Sequence, residues 1–314
     1  MKIVFLETGT LGSDVSLTKF RELGDVTEYD LTLEEQIPER IADAEVVIIN
    51  KLPMNEKTLA QAKNLKLICL TATGTNNIDF PYTDSRNIVV KNVAGYSTES
   101  VVQHTFALLF YLYEKLPYYD NYVKSEAYAT APFFCHIEEK FHELYGKTWG
   151  IIGLGEIGHR VAEVAKCFGC KVIYYSTSGK NNDPVYERVS LDRLLSESDI
   201  VSIHAPLNND TLNLMNKSCF EKMKRTAFLL NLGRGPIINE QDLYEALENN
   251  LIAGAATDVL TKEPMSRENP LIKIKDSKKL FITPHIAWAT VEARQRCADR
   301  VFDNIQTFLR DNNR

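Results

Sequence analysis

The chain has 314 residues, 44% of them hydrophobic and 25% charged, a balance typical of a globular protein rather than a fibrous or disordered one. At roughly 150 residues per domain, this length predicts two domains and a large apolar core. Lysine and arginine number 36 against 42 aspartates and glutamates, so the net charge is −6, and no basic block is present to neutralise a nucleic acid backbone.

No segment of the sequence is predicted to cross a membrane. The longest apolar stretch, residues 106–113, is under half the ~20 residues that a spanning helix needs. The apolar run at residues 3–6 is too short for a secretory signal. The six cysteines are spread thinly along the chain, which argues against a disulfide framework. We therefore expect reduced thiols, a cytoplasmic location, and neither a nucleic acid nor a membrane as partner.

Short β-branched runs alternate with amphipathic stretches through the first third of the chain. They predict strands at residues 2–6, 46–50, 65–72 and 88–93. Ser100 to Leu116 is apolar nearly all round, which predicts a buried connecting helix. This alternation is typical of α/β architecture with parallel sheets.

Residues 117–147 are rich in Tyr and Phe and show no regular period, so we predict an irregular region there. The region is too long for an ordinary loop. We interpret it as a dimerisation segment that packs against a second copy of the chain, which predicts a homodimer.

Strand patterns resume after Gly146. They predict strands at residues 149–153, 171–176, 200–205, 227–233, 254–260 and 280–285. A closing helix is predicted from apolar residues spaced along one helical face: Ala298, Val301, Phe302, Ile305, Phe308 and Leu309. The second half therefore indicates a doubly wound parallel sheet.

The strongest local motif is a buried strand that runs into G-x-G-x-x-G at residues 153–158. A helical period follows it, and the next strand begins near Lys171, so the motif has the βαβ context of a dinucleotide site. Gly153 permits the tight turn, Gly155 lets the backbone approach a pyrophosphate, and Gly158 lets the helix pack close to the strand. The helix N-terminus then faces the phosphates with free N–H groups.

An acidic residue about 20 positions further on usually binds the adenosine ribose in such folds, and here it is missing. The second strand ends at Ser176, followed by Thr177, Ser178, Gly179 and Lys180. Without a carboxylate nothing repels a 2′-phosphate, and hydroxyls with Lys180 can hold one. No arginine stands in this loop to secure a preference for NADP. We therefore predict NAD or NADP as the cofactor, and the sequence leaves the preference between them unresolved.

Polar segments follow three predicted strands, at residues 231–235, 258–264 and 283–288. In open α/β sheets that edge is where ligands bind. Together with the glycine turn and the segment 72–79 (Ala-Thr-Gly-Thr-Asn-Asn-Ile-Asp), these motifs resemble the D-isomer-specific 2-hydroxyacid dehydrogenases, in the same order and over nearly the whole chain.

The resemblance implies two doubly wound parallel-sheet domains. Residues 1–97 plus 285–314 are expected to form a flavodoxin-like substrate domain, and residues 98–284 a Rossmann-type dinucleotide-binding domain carrying the dimerisation segment 117–147. It also implies that Arg234, Glu263 and His285 are the catalytic group.

The chemistry of these three residue types also suits the reduction of a 2-keto acid. Reduction of a 2-keto acid needs a proton at the carbonyl oxygen, and the ordinary pKa of histidine, about 6.5, suits His285 to deliver it. A neighbouring carboxylate favours the imidazolium and fixes which ring nitrogen faces the substrate, the role expected of Glu263. Arg234 offers a planar fork of donors for the substrate carboxylate.

The resemblance assigns further residues to ligands. It implies that backbone N–H groups of Thr73 and Gly74 bind the substrate carboxylate, and Trp288 is expected to limit the substrate side chain. The expected cofactor-binding residues are Gly153, Gly155, Glu156, Ile157, Gly158, Ser176, Thr177, Pro206, Thr211, Leu232, Gly233 and Asp258. Asn208 stands where many members have threonine. No metal is expected.

Among the subfamilies, the segments 95–100, 103–105 and 284–290 look most like the glycerate dehydrogenases, which reduce hydroxypyruvate. The substrate is thus predicted to be a small 2-keto or 2-hydroxy acid, hydroxypyruvate/glycerate or glyoxylate. Two alternatives stay open: a nicotinamide-sensing module without turnover, and a methyltransferase that uses the same glycine turn. Cys167 and Cys170 are interpreted as packing residues rather than a redox pair, and His104 as a buried, hydrogen-bonded residue.

Overall fold

The computed structural model describes residues 1–312, which form two compact units. Met1–Ser97 and the stretch from Trp288 onward form the first unit, and Thr98–Ala287 forms the second. Asn313 and Arg314, the last residues of the segment predicted as 285–314, lie outside the described residues. No helix in residues 1–312 is both long enough and apolar enough to cross a membrane.

Twelve strands and ten α-helices make up the regular structure of the described chain. The strands are β1 (Lys2–Phe5), β2 (Asp25–Glu28), β3 (Val46–Ile49), β4 (Leu67–Leu70), β5 (Val89–Lys91), β6 (Thr148–Ile152), β7 (Lys171–Tyr175), β8 (Glu187–Arg188), β9 (Ile200–Ile203), β10 (Phe228–Asn231), β11 (Gly254–Thr257) and β12 (Leu280–Ile282). The helices are α1 (Ile37–Arg40), α2 (Glu56–Leu59), α3 (Phe80–Ser85), α4 (Thr98–Tyr113), α5 (Leu116–Lys124), α6 (Glu156–Cys167), α7 (Leu191–Glu197), α8 (Lys217–Lys222), α9 (Glu240–Glu248) and α10 (Val291–Asn312).

The first unit is built on a five-stranded parallel sheet in the order β2-β1-β3-β4-β5, the flavodoxin-like order. Because side chains alternate along a strand, β1 sends Ile3 and Phe5 to one face and Val4 to the other. On the first face, the apolar stripe of α10 covers the sheet with Val301 and Ile305, both fully buried.

The second unit is built on a seven-stranded parallel sheet in the order β12-β11-β10-β9-β6-β7-β8. The chain runs outward from β6 through β7 to β8, then returns to the other side of β6 with β9. That reversal is the topological switch point, where doubly wound sheets bind their ligands. Helices α4 and α6 cover one face, and α7, α8 and α9 the other. The predicted α/β class with two doubly wound sheets is confirmed.

Trp149 of β6 is fully buried in the hydrophobic core of the second unit. The centres of the Trp149 and Phe106 rings are 5.0 Å apart, and Phe106 lies on α4. The indole N–H of Trp149 donates to the Ser202 hydroxyl of β9 at 2.9 Å. A buried indole needs such a partner because an unpaired buried donor is costly. The connecting helix predicted from Ser100 is therefore an integral core helix of this unit.

All ten predicted strands are present, each trimmed at its end, and two further strands occur. The missed strands are β2 and β8, both at sheet edges, and both residues of β8 are exposed. These two strands, with the sequences DVTE and ER, lack the apolar run on which the prediction relied.

The prediction of an irregular region at 117–147 is wrong at its start, because α5 occupies Leu116–Lys124. Helix α4 ends just before Lys115, which has a φ of +57° and separates α4 from α5. Pro117 lies in the first turn of α5, a position that tolerates proline. The boundary between the two units also differs from the prediction, since it follows Ala287 rather than Pro284.

Candidate active site

The glycine turn joins β6 to α6 at the switch point. Gly153 has a φ of +91°, and a Cβ there would lie 2.8 Å from the backbone of Ala205, in the segment after β9, so only glycine fits. A Cβ on Gly158 would lie 2.2 Å from the Gly153 carbonyl oxygen, so this glycine lets α6 pack close to the strand. At Gly155 a Cβ would meet nothing within 4 Å. The turn is therefore tight on its protein side and open at Gly155.

The first turn of α6 carries the two other predicted residues of the motif. Glu156 is exposed, and its carboxylate accepts a hydrogen bond from the Thr98 hydroxyl at 2.7 Å, while Ile157 packs against the core. No side chain of the described residues caps this helix at Gly155. Backbone N–H groups at the open end of a helix suit a phosphate. The turn thus fits a dinucleotide pyrophosphate.

The loop after β9 contains Pro206 and Thr211. The Thr211 hydroxyl is buried, donates to the Pro206 carbonyl at 2.7 Å and accepts from the Asn208 N–H at 2.8 Å. The Asn208 side chain accepts from the N–H groups of Asp210 and Thr211, the pattern of an Asx turn. The hydrogen bonds of Thr211 and Asn208 within the loop therefore stabilise its conformation.

Three polar segments follow β10, β11 and β12, which are neighbours in the sheet. After β10, Leu232 and Gly233 are buried, and a Cβ on Gly235 would lie 1.9 Å from the Leu260 carbonyl carbon after β11. This contact holds half-buried Arg234 beside the Leu260 segment, and the Arg234 guanidinium donates to the Gly233 carbonyl at 2.8 Å.

His285 and Glu263 form a close pair within the second unit. The His285 Nδ1 lies 2.7 Å from one carboxylate oxygen of Glu263, whose other oxygen accepts from the Leu260 N–H at 2.8 Å. Beside a carboxylate, Nδ1 must be the donor, which fixes the tautomer of the neutral ring and leaves proton exchange to Nε2. The two side chains are 27% and 35% exposed, so the pair is accessible from solvent.

Asp258 is almost fully buried beneath this pair. One carboxylate oxygen accepts from the Thr283 hydroxyl at 2.6 Å and the Ile286 N–H at 2.9 Å, and the other accepts from the Ala287 N–H at 2.8 Å. Its backbone carbonyl accepts from the His285 N–H at 2.8 Å. Asp258 therefore anchors the segment that carries His285, a role beyond the cofactor contact predicted from the sequence.

Helix α4 supports the same segment from behind. The His104 Nε2 lies 3.0 Å from the Thr283 hydroxyl, and the Ser100 hydroxyl donates to the Ala287 carbonyl at 2.6 Å. Because Thr283 donates to Asp258, the His104 Nε2 must carry the proton here. Burial lowers the pKa of His104, and the Asp258 charge opposes that shift. The hydrogen bond predicted for His104 is confirmed, but its side chain is 20% exposed rather than fully buried.

At the end of β7, buried Ser176 accepts from the Asn181 N–H at 3.3 Å, while Thr177 is half-buried. Three predicted substrate residues lie in the first unit. Thr73 follows β4, and its hydroxyl donates to the Val93 carbonyl at 2.9 Å. The next residue, Gly74, is half-buried. The Trp288 ring packs edge-on against the Tyr96 ring, with their centres 6.2 Å apart.

Residues 106–287 match the family described as D-isomer specific 2-hydroxyacid dehydrogenase, NAD binding domain. The chain is 35% identical over 309 residues to a glycerate dehydrogenase of Methylorubrum extorquens, covering 98% of this chain and 96% of that one. It is 36% identical over 319 residues to a hydroxypyruvate reductase of Blautia hydrogenotrophica, covering 99% and 97%. The chain belongs to the D-isomer specific 2-hydroxyacid dehydrogenase family.

Solved structures agree with this assignment. An acyclic imino acid reductase in complex with NADPH and D-Arg has a TM-score of 0.85 at 30% identity, covering 99% of this chain and 98% of that one. A D-lactate dehydrogenase from Aquifex aeolicus, complexed with NAD and lactic acid, has a TM-score of 0.85 at 26% identity, covering 98% and 96%. This dehydrogenase is therefore a nicotinamide-dependent oxidoreductase of 2-hydroxy acids, and nothing supports a module without turnover.

The two cysteines predicted to be packing residues differ in burial, and only Cys170 is packed. Cys167 closes α6 and is exposed, while Cys170 is buried with its thiol 3.4 Å from the Leu144 carbonyl oxygen; both are free, as are the other four cysteines. Burial raises the pKa of the Cys170 thiol to about 11, so the reactive thiolate is scarce at neutral pH. Within residues 1–312 no group of three or more His, Cys, Asp or Glu side chains is placed to hold a metal ion.

Proposed function

We propose that this dehydrogenase reduces a small 2-keto acid, hydroxypyruvate or glyoxylate, to the D-2-hydroxy acid. The observation that carries the proposal is the 2.7 Å pair of His285 and Glu263 on the same edge of the sheet as Arg234. The similarity to a glycerate dehydrogenase and a hydroxypyruvate reductase over nearly the full chain supports the choice of substrate.

In the proposed reaction, His285 gives the proton on Nε2 to the carbonyl oxygen as that oxygen gains negative charge. Bound nicotinamide supplies the hydride for the carbonyl carbon. Glu263 stabilises the imidazolium before transfer and keeps the ring oriented afterwards. Arg234 binds the substrate carboxylate with two parallel hydrogen bonds, a geometry that lysine cannot reproduce.

The remaining site residues are assigned on the same basis. The glycine turn at 153–158 is proposed to hold the pyrophosphate, as its open face at Gly155 allows. Backbone N–H groups of Thr73 and Gly74 are proposed to bind the substrate carboxylate, and Trp288 to restrict the substrate side chain. We further propose a homodimer formed through residues 117–147, and a cytoplasmic location, which agrees with six free thiols.

The test is a substrate panel run with NADH and with NADPH, with cofactor oxidation followed by absorbance. We expect kcat/KM to be highest for hydroxypyruvate or glyoxylate and lower for phenylpyruvate. The variant Trp288→Ala should raise the phenylpyruvate-to-hydroxypyruvate ratio, because it removes the bulk that excludes an aromatic side chain. Faster turnover of phenylpyruvate by the natural enzyme would contradict the substrate assignment, and binding of a methyl donor without nicotinamide binding would contradict the reaction class.

A further inference from the structure

The turn after β7 lies where doubly wound nucleotide folds meet the adenosine ribose of their cofactor. Ser176 to Asn182 contains no carboxylate, so the acidic residue that would bind a ribose 2′-hydroxyl and repel a 2′-phosphate is missing. The sequence alone leaves the cofactor undecided at this point, because no arginine stands within the turn.

The turn has a defined shape and is tied to the glycine turn. The Gly179 N–H donates to the Ser176 carbonyl at 3.2 Å, and Gly179 takes a φ of +68°, which favours glycine. The Asn181 side-chain amide donates to the Leu154 carbonyl, between two glycines of the G-x-G-x-x-G motif. The ribose position is therefore fixed relative to the proposed pyrophosphate position.

The structure brings an arginine to this turn from outside it. Strand β8 pairs in parallel with β7, so that Arg188 stands opposite Tyr174. Its guanidinium lies 3.1 Å from the Asn182 side-chain oxygen and 3.4 Å from the Asn181 carbonyl oxygen, and a Cβ on Gly179 would lie 3.7 Å from its second terminal nitrogen. Arg188 is exposed and reaches over the turn.

The charge of Arg188 is uncompensated in the part of the chain that the structure describes. The neighbouring Arg193 forms ion pairs with Glu187 at 2.5 Å and with Glu197 at 2.7 Å. Arg188, by contrast, has only neutral partners among residues 1–312, and no carboxylate oxygen lies within 4.0 Å of it.

The first carboxylate after the turn does not change this balance. Asp183 accepts from the N–H groups of Val185 at 2.8 Å and Tyr186 at 3.0 Å, and its other oxygen lies 3.4 Å from the His159 ring on α6. Both of its carboxylate oxygens are thus in contact with groups other than Arg188. The turn itself adds an exposed cation, Lys180, and an exposed hydroxyl, Ser178.

We propose that Arg188, with Lys180 and the hydroxyls of Thr177 and Ser178, forms a subsite for the 2′-phosphate of NADPH, so that the enzyme prefers NADPH to NADH. A guanidinium binds a phosphate with two parallel charge-assisted hydrogen bonds, which a ribose hydroxyl cannot match. This inference rests on the proposed function for its nicotinamide cofactor, and it assigns the preference that the sequence left unresolved.

The experiment measures binding rather than turnover. Dissociation constants of NADPH and NADH are determined by fluorescence, and those of 2′,5′-ADP and ADP by calorimetry, for the natural enzyme and for Arg188→Gln, Arg188→Lys and Arg193→Gln. We expect the natural enzyme to bind NADPH and 2′,5′-ADP at least tenfold more tightly than NADH and ADP. Arg188→Gln should lose most of that ratio while binding NADH within about twofold of the natural enzyme, Arg188→Lys should keep part of it, and Arg193→Gln should keep all of it.

Each outcome decides between possibilities. Equal binding of the two cofactors by the natural enzyme, or an equal loss of both in Arg188→Gln, overturns the subsite. Retained NADH binding shows that the variant is folded. If Arg188→Gln does not fold, the ratio for 2′,5′-ADP over ADP in the natural enzyme and its decrease with added salt still decide the question. Failure of the natural enzyme to bind either nicotinamide would instead contradict the proposed function itself.

Discussion

His285 holds its imidazole on a backbone with a φ of +56°, a left-handed conformation that non-glycine residues rarely adopt. Such a conformation costs on the order of 1–3 kcal/mol and persists only when its surroundings impose it. Here the His285 N–H donates to the Asp258 carbonyl, and the Asp258 carboxylate binds the next two N–H groups along the chain. The buried aspartate thus fixes the direction in which the imidazole points.

Replacing Glu263 by Gln keeps the size of the side chain but removes the charge beside His285. The imidazolium then loses its anionic partner, so ketone reduction at neutral pH should slow by about 100-fold or more, in the range that general acid catalysis contributes. Cofactor dissociation constants should stay unchanged. Initial rates with hydroxypyruvate and a binding titration check both statements.

A matched control lies at the start of α9, against the loop that carries Glu263. Glu240 accepts from the Thr261 N–H at 2.7 Å and from the Asn269 side chain at 2.9 Å, so it supports the loop of Glu263 without pairing with His285. Glu240→Gln should therefore slow the reaction far less. Similar rates for the two variants would show that loop support, rather than charge at His285, is what matters.

His204 follows β9 with both ring nitrogens buried and without a hydrogen-bond partner among residues 1–312. Burial lowers its pKa from 6.5 to about 3, so the folded ring stays neutral. Above pH 6.5 the ring is neutral in both states and adds no pH dependence. Between pH 6.5 and about 3 only the unfolded chain binds the proton, so the free energy of unfolding falls by about 1.4 kcal/mol per pH unit.

The variant His204→Phe removes this titration and should flatten the decline of stability in acid, by up to about 2 kcal/mol at pH 5 relative to pH 7. Urea unfolding at several pH values measures the difference. His142→Phe, at an exposed histidine, controls for the loss of an imidazole. Parallel curves for the natural protein and His204→Phe would show that the ring is solvated.

At the scale of elements, the glycine turn separates two effects that a single substitution usually mixes. Gly155→Ala adds a Cβ in open space, so the free energy of unfolding should change by less than about 1 kcal/mol while cofactor binding weakens at least tenfold. Gly153→Ala adds a Cβ 2.8 Å from the Ala205 backbone at a φ of +91°, so stability itself should fall by about 2 kcal/mol or more.

Thermal unfolding and NADPH binding, measured on both variants, check this contrast. The two substituted glycines are only two positions apart in the same turn, so each variant serves as a control for the other. Unchanged cofactor binding in Gly155→Ala would mean that the open face of the turn is not where the pyrophosphate lies.

The elements that were predictable from the sequence are those with a local cause. The buried strand before Gly153 and the amphipathic helix after it follow from apolar periodicity. The glycine at position 153 is required because a Cβ there would clash with the Ala205 backbone. Strand β8 has no such cause, since both of its residues are exposed and only pairing with β7 makes them a strand. For the same reason the proximity of Arg188 to the Gly179 turn could not be read from the sequence.

The positions of the proposed catalytic residues were predictable, because each follows a strand that the apolar pattern predicts. The residues that hold these segments in place, His104 and Asp258, were harder to predict in that role. The contact of His104 with Thr283 joins residues 179 positions apart, and it depends on how α4 packs on the sheet. The three acceptor bonds of Asp258 likewise appear only once the segment 283–287 has folded back over β11.

At the scale of the whole molecule, the aromatic segment 117–147 exposes several large apolar side chains. His136 stacks on Tyr122 with ring centres 3.7 Å apart and bonds to the Tyr118 hydroxyl at 2.7 Å, so the segment is held by its own contacts. Its apolar side chains nonetheless point outward: Phe133, Phe134, Ile137 and Tyr145 are 73%, 90%, 77% and 78% exposed. Exposed apolar groups in such number are typical of an interface.

The proposed dimer predicts that Phe133→Ser combined with Phe134→Ser raises the dimer dissociation constant by about 10²-fold or more. Burying one phenylalanine side chain contributes about 1.5–3 kcal/mol, and each 1.4 kcal/mol is a factor of ten. Sedimentation velocity over a concentration series measures the change. Leu31→Ser, at a leucine that is 72% exposed outside the segment, should leave the constant unaltered. A natural protein that sediments as a monomer at every concentration would contradict the dimer, and the exposed aromatic side chains would then need another partner.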